Sequence, residues 1–200
     1  MTDTRPTLRS LLALPDTPAP LSQSALVLID CQNTYREGIM QLEGVEPALA
    51  QCAKLLKRAR DSGAPVIHIQ HDAGPGSPYD VRTHIGSIAD VVAPAAGEKV
   101  ITKAFPSSFE QTDLDAELKR LGVTDLVLAG FMTHVCVNST ARAAFNHGYR
   151  TTVVGNATAT RSLKNPVGGD LSAEELHNGA LTALSDIFAI VVPSEDKVPA

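Results

Sequence analysis

The stretch Asp125-Leu-Val-Leu-Ala-Gly130-Phe-Met-Thr-His-Val-Cys136 contains an apolar run, a glycine and a cysteine in that order. The run at 126–129 predicts a buried strand, and the pattern from about Cys136 to the His147-Gly148 pair predicts a helix. Cys136 would then lie in the first turn of a helix, just beyond the carboxyl end of a strand. Because free N–H groups and the helix dipole favour a thiolate there, we expect a lowered pKa for Cys136.

Similar apolar runs alternate with helical patterns along the whole chain. The predicted strands cover residues 25–30, 65–70, 99–103, 125–129, 150–154 and 187–192. The predicted helices cover residues 45–62, 112–121, 136–147 and 172–185. This alternation predicts a three-layer α/β domain with a mostly parallel sheet over residues 21–200. Residues 1–20 contain four prolines and predict an extended N-terminal arm.

Composition and charge narrow the classes of partner. The formal net charge is −5 and no basic cluster is present, which argues against nucleic acid and anionic membranes as partners. No apolar run has the length of a membrane span, and the N-terminus does not resemble a secretory signal. Three cysteines do not make a disulfide framework. We therefore expect a cytoplasmic protein that acts on a small molecule.

Three reactive side chains occupy the predicted carboxyl ends of strands: Asp30, Lys103 and Cys136. Ligands of parallel α/β sheets bind beyond this edge, so the three groups are expected to meet there. Asp30 would accept the thiol proton and return it to a leaving amine. Lys103 would stabilise the charged forms of both partners, and Cys136 would attack a carbonyl to form a thioester. The long irregular segment at 71–97, called the lid segment below, predicts a lid or binding loop.

Three blocks of sequence resemble the signatures of the isochorismatase-like cysteine hydrolases. They are Leu28-Ile-Asp30-Cys-Gln32, Thr102-Lys103 and Gly130-Phe-Met-Thr-His-Val-Cys136, in the same order and at similar spacing. The resemblance implies a six-stranded parallel sheet with helices on both faces. It makes Asp30 the base, Lys103 the orienting cation and Cys136 the nucleophile.

The resemblance also implies details of the nucleophile turn and of assembly. A cis peptide is expected between Phe131 and Met132, with the backbone N–H groups of Met132 and Cys136 forming an oxyanion hole. A homo-oligomer, either a dimer or a tetramer, is expected as well.

Two departures from relatives narrow the expected chemistry. The chain reads Gln70-His71-Asp72-Ala73 where metal-dependent nicotinamidases carry an Asp-x-His block, so we expect neither a metal site nor any other cofactor. Relatives that hydrolyse the vinyl ether of isochorismate can lack the cysteine, so Cys136 favours cleavage of a C–N bond in a small amide, ureide or carbamoyl compound. Ether hydrolysis and a catalytically silent oligomeric scaffold remain the alternatives.

Weaker candidates for substrate binding lie near the reactive positions in sequence. A polar or aromatic side chain at such a place can line a small pocket, and packing is the competing interpretation for each. These candidates are Gln32, Tyr35, His71, Phe105 and Phe109.

Overall fold

The computed structural model describes residues 5–200. Its strands are β1 (Ala25–Ile29), β2 (Val66–His71), β3 (Lys99–Lys103), β4 (Asp125–Phe131), β5 (Arg150–Ala159), β6 (Leu163–Lys164), β7 (Asp170–Leu171) and β8 (Ile190–Val192). Its helices are α1 (Leu8–Leu11), α2 (Val45–Asp61), α3 (Leu114–Arg120), α4 (Asn138–Asn146) and α5 (Ala173–Ile187). Within residues 5–200, no helix combines the length and the hydropathy needed to cross a membrane.

Six strands form one sheet in the order β3-β2-β1-β4-β5-β8, and every neighbouring pair is parallel. The predicted six-stranded, mostly parallel sheet is confirmed. Two predicted boundaries are wrong, because β5 continues to Ala159 and Ile187 ends α5 instead of opening the last strand. Leu184 and Ile187 share one helical face at i, i+3 spacing, so the helical period continues into this apolar run.

Side chains of the central strand alternate between two hydrophobic cores, one on each face of the sheet. Leu26 and Leu28 belong to the core that contains α2. Val27 and Ile29 belong to the core formed with α3, α4 and α5. This alternation follows from the period of two in a strand and produces the predicted three layers.

The N-terminal arm packs on its own domain. In the described part of the arm, α1 forms where the sequence predicts extended chain; residues 1–4 lie outside the described residues. The Leu8 N–H donates to Asp186 Oδ1 at 2.9 Å, and the Arg9 guanidinium donates to the Ile187 carbonyl at 2.8 Å. Carbonyls at the end of a helix lack partners within it, so Arg9 stabilises the C-terminus of α5.

The strands β1 and β4 are neighbours at the centre of the sheet, where the strand order changes direction. Gly130 of β4 lies so close to β1 that an added Cβ would stand 2.0 Å from the Ile29 carbonyl oxygen. Its φ of +116° also favours glycine. The strands that precede Asp30 and Cys136 are therefore in direct backbone contact at the point where ligands of such sheets bind.

Candidate active site

Asp30 is the first residue after β1 and adopts a left-handed conformation, with φ of 50°. Aspartate tolerates this conformation better than most residues because its short side chain bonds locally. The Asp30 N–H donates to the Ile69 carbonyl at 3.0 Å, which continues the pairing with β2. The backbone thus turns at the sheet edge while the Asp30 side chain stays completely buried.

The structure brings Asp30, Lys103 and Cys136 together. Lys103 Nζ lies 2.7 Å from Asp30 Oδ2 and 3.3 Å from Cys136 Sγ. The three side chains come from the ends of β1 and β3 and from the turn after β4, as parallel pairing requires. One buried ammonium therefore contacts both a carboxylate and a thiol.

Burial raises the pKa of the Asp30 carboxyl, and the charge of Lys103 offsets part of that effect. Lys103 Nζ, 2.7 Å from Oδ2, and the Cys136 thiol both interact with the Asp30 carboxylate, and both favour its charged form. A carboxyl with a raised pKa is suited to act first as a base and then as an acid.

The predicted lowering of the Cys136 pKa is wrong. Burial raises the pKa of the Cys136 thiol to about 12, and the negative charge of Asp30 adds to this effect more than Lys103 subtracts from it. Cys136 also lies in a π-helical turn, Thr133–Val137, instead of the first turn of α4. A pKa this high corresponds to a thiol at neutral pH.

The turn that carries Cys136 begins with a cis peptide between Phe131 and Met132, as the family resemblance implies. The Met132 carbonyl accepts hydrogen bonds from the N–H groups of Val135 and Val137, at 3.0 and 3.2 Å. Among the described residues, the Met132 N–H has no hydrogen-bond partner. This donor lies at the start of the turn that carries Cys136.

His71 and Tyr35 lie beside the three reactive groups. His71 Nδ1 is 3.4 Å from Lys103 Nζ, and burial followed by the Lys103 charge lowers the pKa of His71. Tyr79 packs edge-on against both His71 and Tyr35, with ring centroids 5.0 and 5.8 Å apart. Sequence analysis missed Tyr79, although it is the only aromatic residue of the lid segment.

Gln32 serves the backbone, which contradicts its prediction as a substrate ligand. Its Nε2 donates to the carbonyls of His71 and Gly86 at 2.9 and 2.7 Å, and its Oε1 accepts from the His71 N–H at 2.9 Å. The side chain is completely buried. These bonds join β1, β2 and the lid segment and leave little capacity for a substrate.

The two phenylalanine candidates, Phe105 and Phe109, have different surroundings in the structure. Phe109 stacks on His147 and Tyr149 beyond the C-terminus of α4, with centroids 4.9 and 5.9 Å away, so its prediction as a pocket residue is wrong. Phe105 is 40% exposed and borders a cavity of about 260 Å³ that reaches Lys103. The cavity is lined by Asp72, Thr102, Lys103, Ala104, Phe105 and Gln111.

Arg82 holds the lid segment in place. Its guanidinium pairs with both oxygens of Asp72 at 3.1 Å and with Asp80 at 2.6 Å. Gly86 is held as well, because its carbonyl accepts from the side chains of Gln32 and Gln70 at 2.7 and 2.8 Å. These contacts join parts of the segment to one another and to residues at the ends of β1 and β2.

Arg161 follows the end of β5, the strand next to β4. Its Nε is buried and has no hydrogen-bond partner within residues 5–200. Its charge acts on Tyr79 and His134, where it favours the deprotonated side chains. No carboxylate in that described range forms an ion pair with it, in contrast to Arg82. The charge of Arg161 therefore reaches Tyr79, which packs against His71 and Tyr35.

The fold and these contacts define an α/β protein with a buried Asp–Lys–Cys cluster at the switch point of a parallel sheet. The family model for the isochorismatase domain matches residues 24–196. The chain belongs to the isochorismatase family of hydrolases.

Two of the matches cover nearly the whole chain. A secreted isochorismatase effector of Verticillium dahliae is 34% identical over 94% of this chain and 97% of its own length. The crystal structure of an isochorismatase from Pseudomonas putida superposes with a TM-score of 0.91, at 37% identity over 95% of this chain and 97% of that one.

Two further matches are a hydrolase and an amidase of compounds other than isochorismate. A streptothricin hydrolase of Streptomyces noursei is 33% identical over 88% of this chain and 64% of its own. The N-carbamoylsarcosine amidase of Thermoplasma acidophilum has 26% identity and a TM-score of 0.72, over 87% of this chain and 97% of that one.

Proposed function

We propose that this hydrolase is a metal-independent cysteine hydrolase that cleaves a C–N bond of a small amide, ureide or carbamoyl substrate through a thioester on Cys136. One observation carries the proposal: Lys103 Nζ lies 2.7 Å from Asp30 Oδ2 and 3.3 Å from Cys136 Sγ. The position of His71 beside the three groups supports metal independence. Its Nδ1 faces the Lys103 ammonium, and this positive charge disfavours a metal cation at the same place.

The first half-reaction forms the thioester. Cys136 Sγ attacks the carbonyl carbon while Asp30 takes the thiol proton, because a thiol with a pKa of about 12 carries its proton at neutral pH. The unpaired Met132 N–H donates to the developing oxyanion, an interaction worth about 2.7–4 kcal/mol in other enzymes. Protonated Asp30 then donates to the leaving nitrogen, the C–N bond breaks, and ammonia or an amine departs.

The second half-reaction regenerates the thiol. A water molecule attacks the thioester carbonyl and gives its proton to Asp30. The C–S bond then breaks, and Cys136 recovers the proton from Asp30. The balance is one amide and one water converted to one acid and one amine or ammonia.

The Arg161 guanidinium, whose charge reaches Tyr79, supports a substrate that carries a carboxylate. A buried guanidinium nitrogen without a partner gains a charge-assisted hydrogen bond when an anion binds. Arg82 does not offer this, since Asp72 and Asp80 already occupy its donors. We therefore expect N-carbamoylglycine and succinamic acid to react faster than the neutral amides acetamide and nicotinamide.

The test is ammonia release from these four compounds by the wild-type protein and by Cys136→Ala. Cys52→Ala is the matched control, because Cys52 is a buried cysteine that bonds to the Ala157 carbonyl in the α2 core. The proposal requires release that Cys136→Ala abolishes and Cys52→Ala retains. Release that is equal in wild type and Cys136→Ala would refute the thioester.

Vinyl ether hydrolysis is the second candidate. It is favoured by the raised pKa of Asp30, because a protonated carboxyl can donate to an ether oxygen without help from a thiol. The similarity to the isochorismatase effector of Verticillium dahliae supports it as well. Turnover of isochorismate that survives Cys136→Ala and disappears in Asp30→Asn would establish this candidate instead.

Cytoplasmic location and assembly into a dimer or tetramer stay predictions. One relative is named as a secreted protein, so location must be tested for this chain directly. Fractionation of the native host and light scattering of the purified protein measure the two properties.

A further inference from the structure

Thr133 opens the turn that carries Cys136, and its side chain is buried. Its Oγ1 lies 3.0 Å from Nδ1 of His177, a residue of α5 that no sequence motif singles out. Among the described residues, His177 is the only hydrogen-bond partner of the Thr133 hydroxyl. A buried hydroxyl of this kind depends on its one partner.

A second contact joins the far side of the same turn to α5. Asn138 Nδ2 donates to the Ala180 carbonyl of α5 at 3.3 Å. The two contacts lie on either side of Cys136, at positions 133 and 138. Helix α5 therefore holds the nucleophile turn at both ends, and the His177 contact lies nearer to the Met132 N–H.

We propose that His177 is a positioning residue that fixes the nucleophile turn through Thr133. It does not touch the reacting atoms; it sets where Cys136 Sγ and the Met132 N–H stand relative to Asp30 and Lys103. The inference rests on the proposed function of Cys136 as nucleophile.

The side chain of His177 is hydrogen-bonded to Thr133 but only partly buried. It borders a cavity of about 290 Å³ together with Glu43, Glu174 and Thr160, so α5 can relax there when the imidazole is removed. The turn then loses its contact at Thr133 while its bond to Ala180 remains. We expect a displaced nucleophile in a folded protein, and small displacements at a reacting centre reduce turnover strongly.

The experiment compares Thr133→Val, Thr133→Ser, His177→Ala and the Thr133→Val/His177→Ala double variant. Asn178→Ala, an exposed position on the same helix, is the control. Ammonia release from N-carbamoylglycine gives kcat and KM separately. The alkylation rate of Cys136 by iodoacetamide, measured by peptide mass spectrometry, reports the position of the thiol without requiring turnover.

We expect Thr133→Val and His177→Ala each to lower kcat by about tenfold to a hundredfold with KM unchanged. The double variant should match the single ones, because both remove the same contact. Thr133→Ser should restore wild-type kcat, and the alkylation rate of Cys136 should change by the same factor in both single variants and in the double variant.

The proposal would be overturned if the reductions in kcat of the two single variants added up in the double variant. A wild-type kcat in His177→Ala, or a reduced kcat in Thr133→Ser, would overturn it as well. A failure of the proposed hydrolase mechanism can be distinguished from a failure of this inference. If Cys136→Ala keeps full turnover, the hydrolase mechanism fails, while the alkylation rates still decide whether His177 positions the thiol.

Discussion

Replacing Lys103 with methionine removes the only cation that pairs with the buried Asp30 carboxylate in the described chain. At 2.7 Å and an effective dielectric constant of about 20, the attraction is about 6 kcal/mol. Part of it is offset because the lysine no longer has to be desolvated. We expect a net loss of about 3–5 kcal/mol in the free energy of unfolding at pH 7, as for other broken buried pairs.

The pH dependence follows from the direction of the Asp30 shift. Its pKa in the folded protein is already above the ordinary value, and removal of Lys103 raises it further. The folded state then binds a proton that the unfolded chain has released, so stability falls as pH rises from the unfolded pKa to the folded one. The loss in the free energy of unfolding caused by Lys103→Met should therefore be smaller at pH 5 than at pH 7.

Urea unfolding at pH 5 and 7 measures both effects. Lys99→Met is the matched control, because Lys99 lies on the same strand and pairs with Asp113 at the surface, where such pairs contribute at most about 1 kcal/mol. The double variant Asp30→Asn/Lys103→Met should recover much of the stability. A deficit below about 1 kcal/mol at pH 7, or an equal deficit at both pH values, would refute the reasoning.

Three further predictions concern single side chains. Alkylation of Cys136 by iodoacetamide should accelerate up to pH 10 and above, following the thiolate fraction of a group with a pKa of about 12; a plateau between pH 7 and 9 would contradict this. Gln32→Leu should lower the unfolding free energy by about 2–4 kcal/mol, because the His71 carbonyl and N–H lose their side-chain partners, whereas the Gly86 carbonyl keeps Gln70 as a donor. Chemical denaturation checks it. Phe109→Leu should leave KM for N-carbamoylglycine unchanged while Phe105→Leu raises it, since only Phe105 borders the cavity beside Lys103; equal effects on KM would contradict the assignment.

The sheet and the three reactive side chains could be predicted because both depend on local pattern and on strand direction. Asp30 and Lys103 lie at the carboxyl ends of β1 and β3, and parallel pairing brings such ends to one edge of the sheet. Cys136 lies in the turn that follows β4, so its approach to the other two also depends on that turn. The proximity of the three side chains could be expected without identifying Tyr79 or His177.

The electrostatic expectation failed because a pKa depends on burial from all sides. The helix pattern suggested a dipole at Cys136, whereas the fold surrounds the thiol and sets Asp30 beside it. Phe109 failed for a related reason: it is close to Lys103 in sequence, but the chain has turned away and stacks it on His147. Gln32 was placed at the correct edge, although its amide faces the backbone of neighbouring segments.

Gly130 has a consequence for efforts to alter this protein. An alanine methyl there would stand 2.0 Å from the Ile29 carbonyl oxygen, one residue before Asp30. Accepting it would push apart the two strands that lead to Asp30 and Cys136, because the atoms it would meet belong to the Ile29 backbone. Directed-evolution libraries that seek new substrates should hold position 130 constant and vary the lid segment instead.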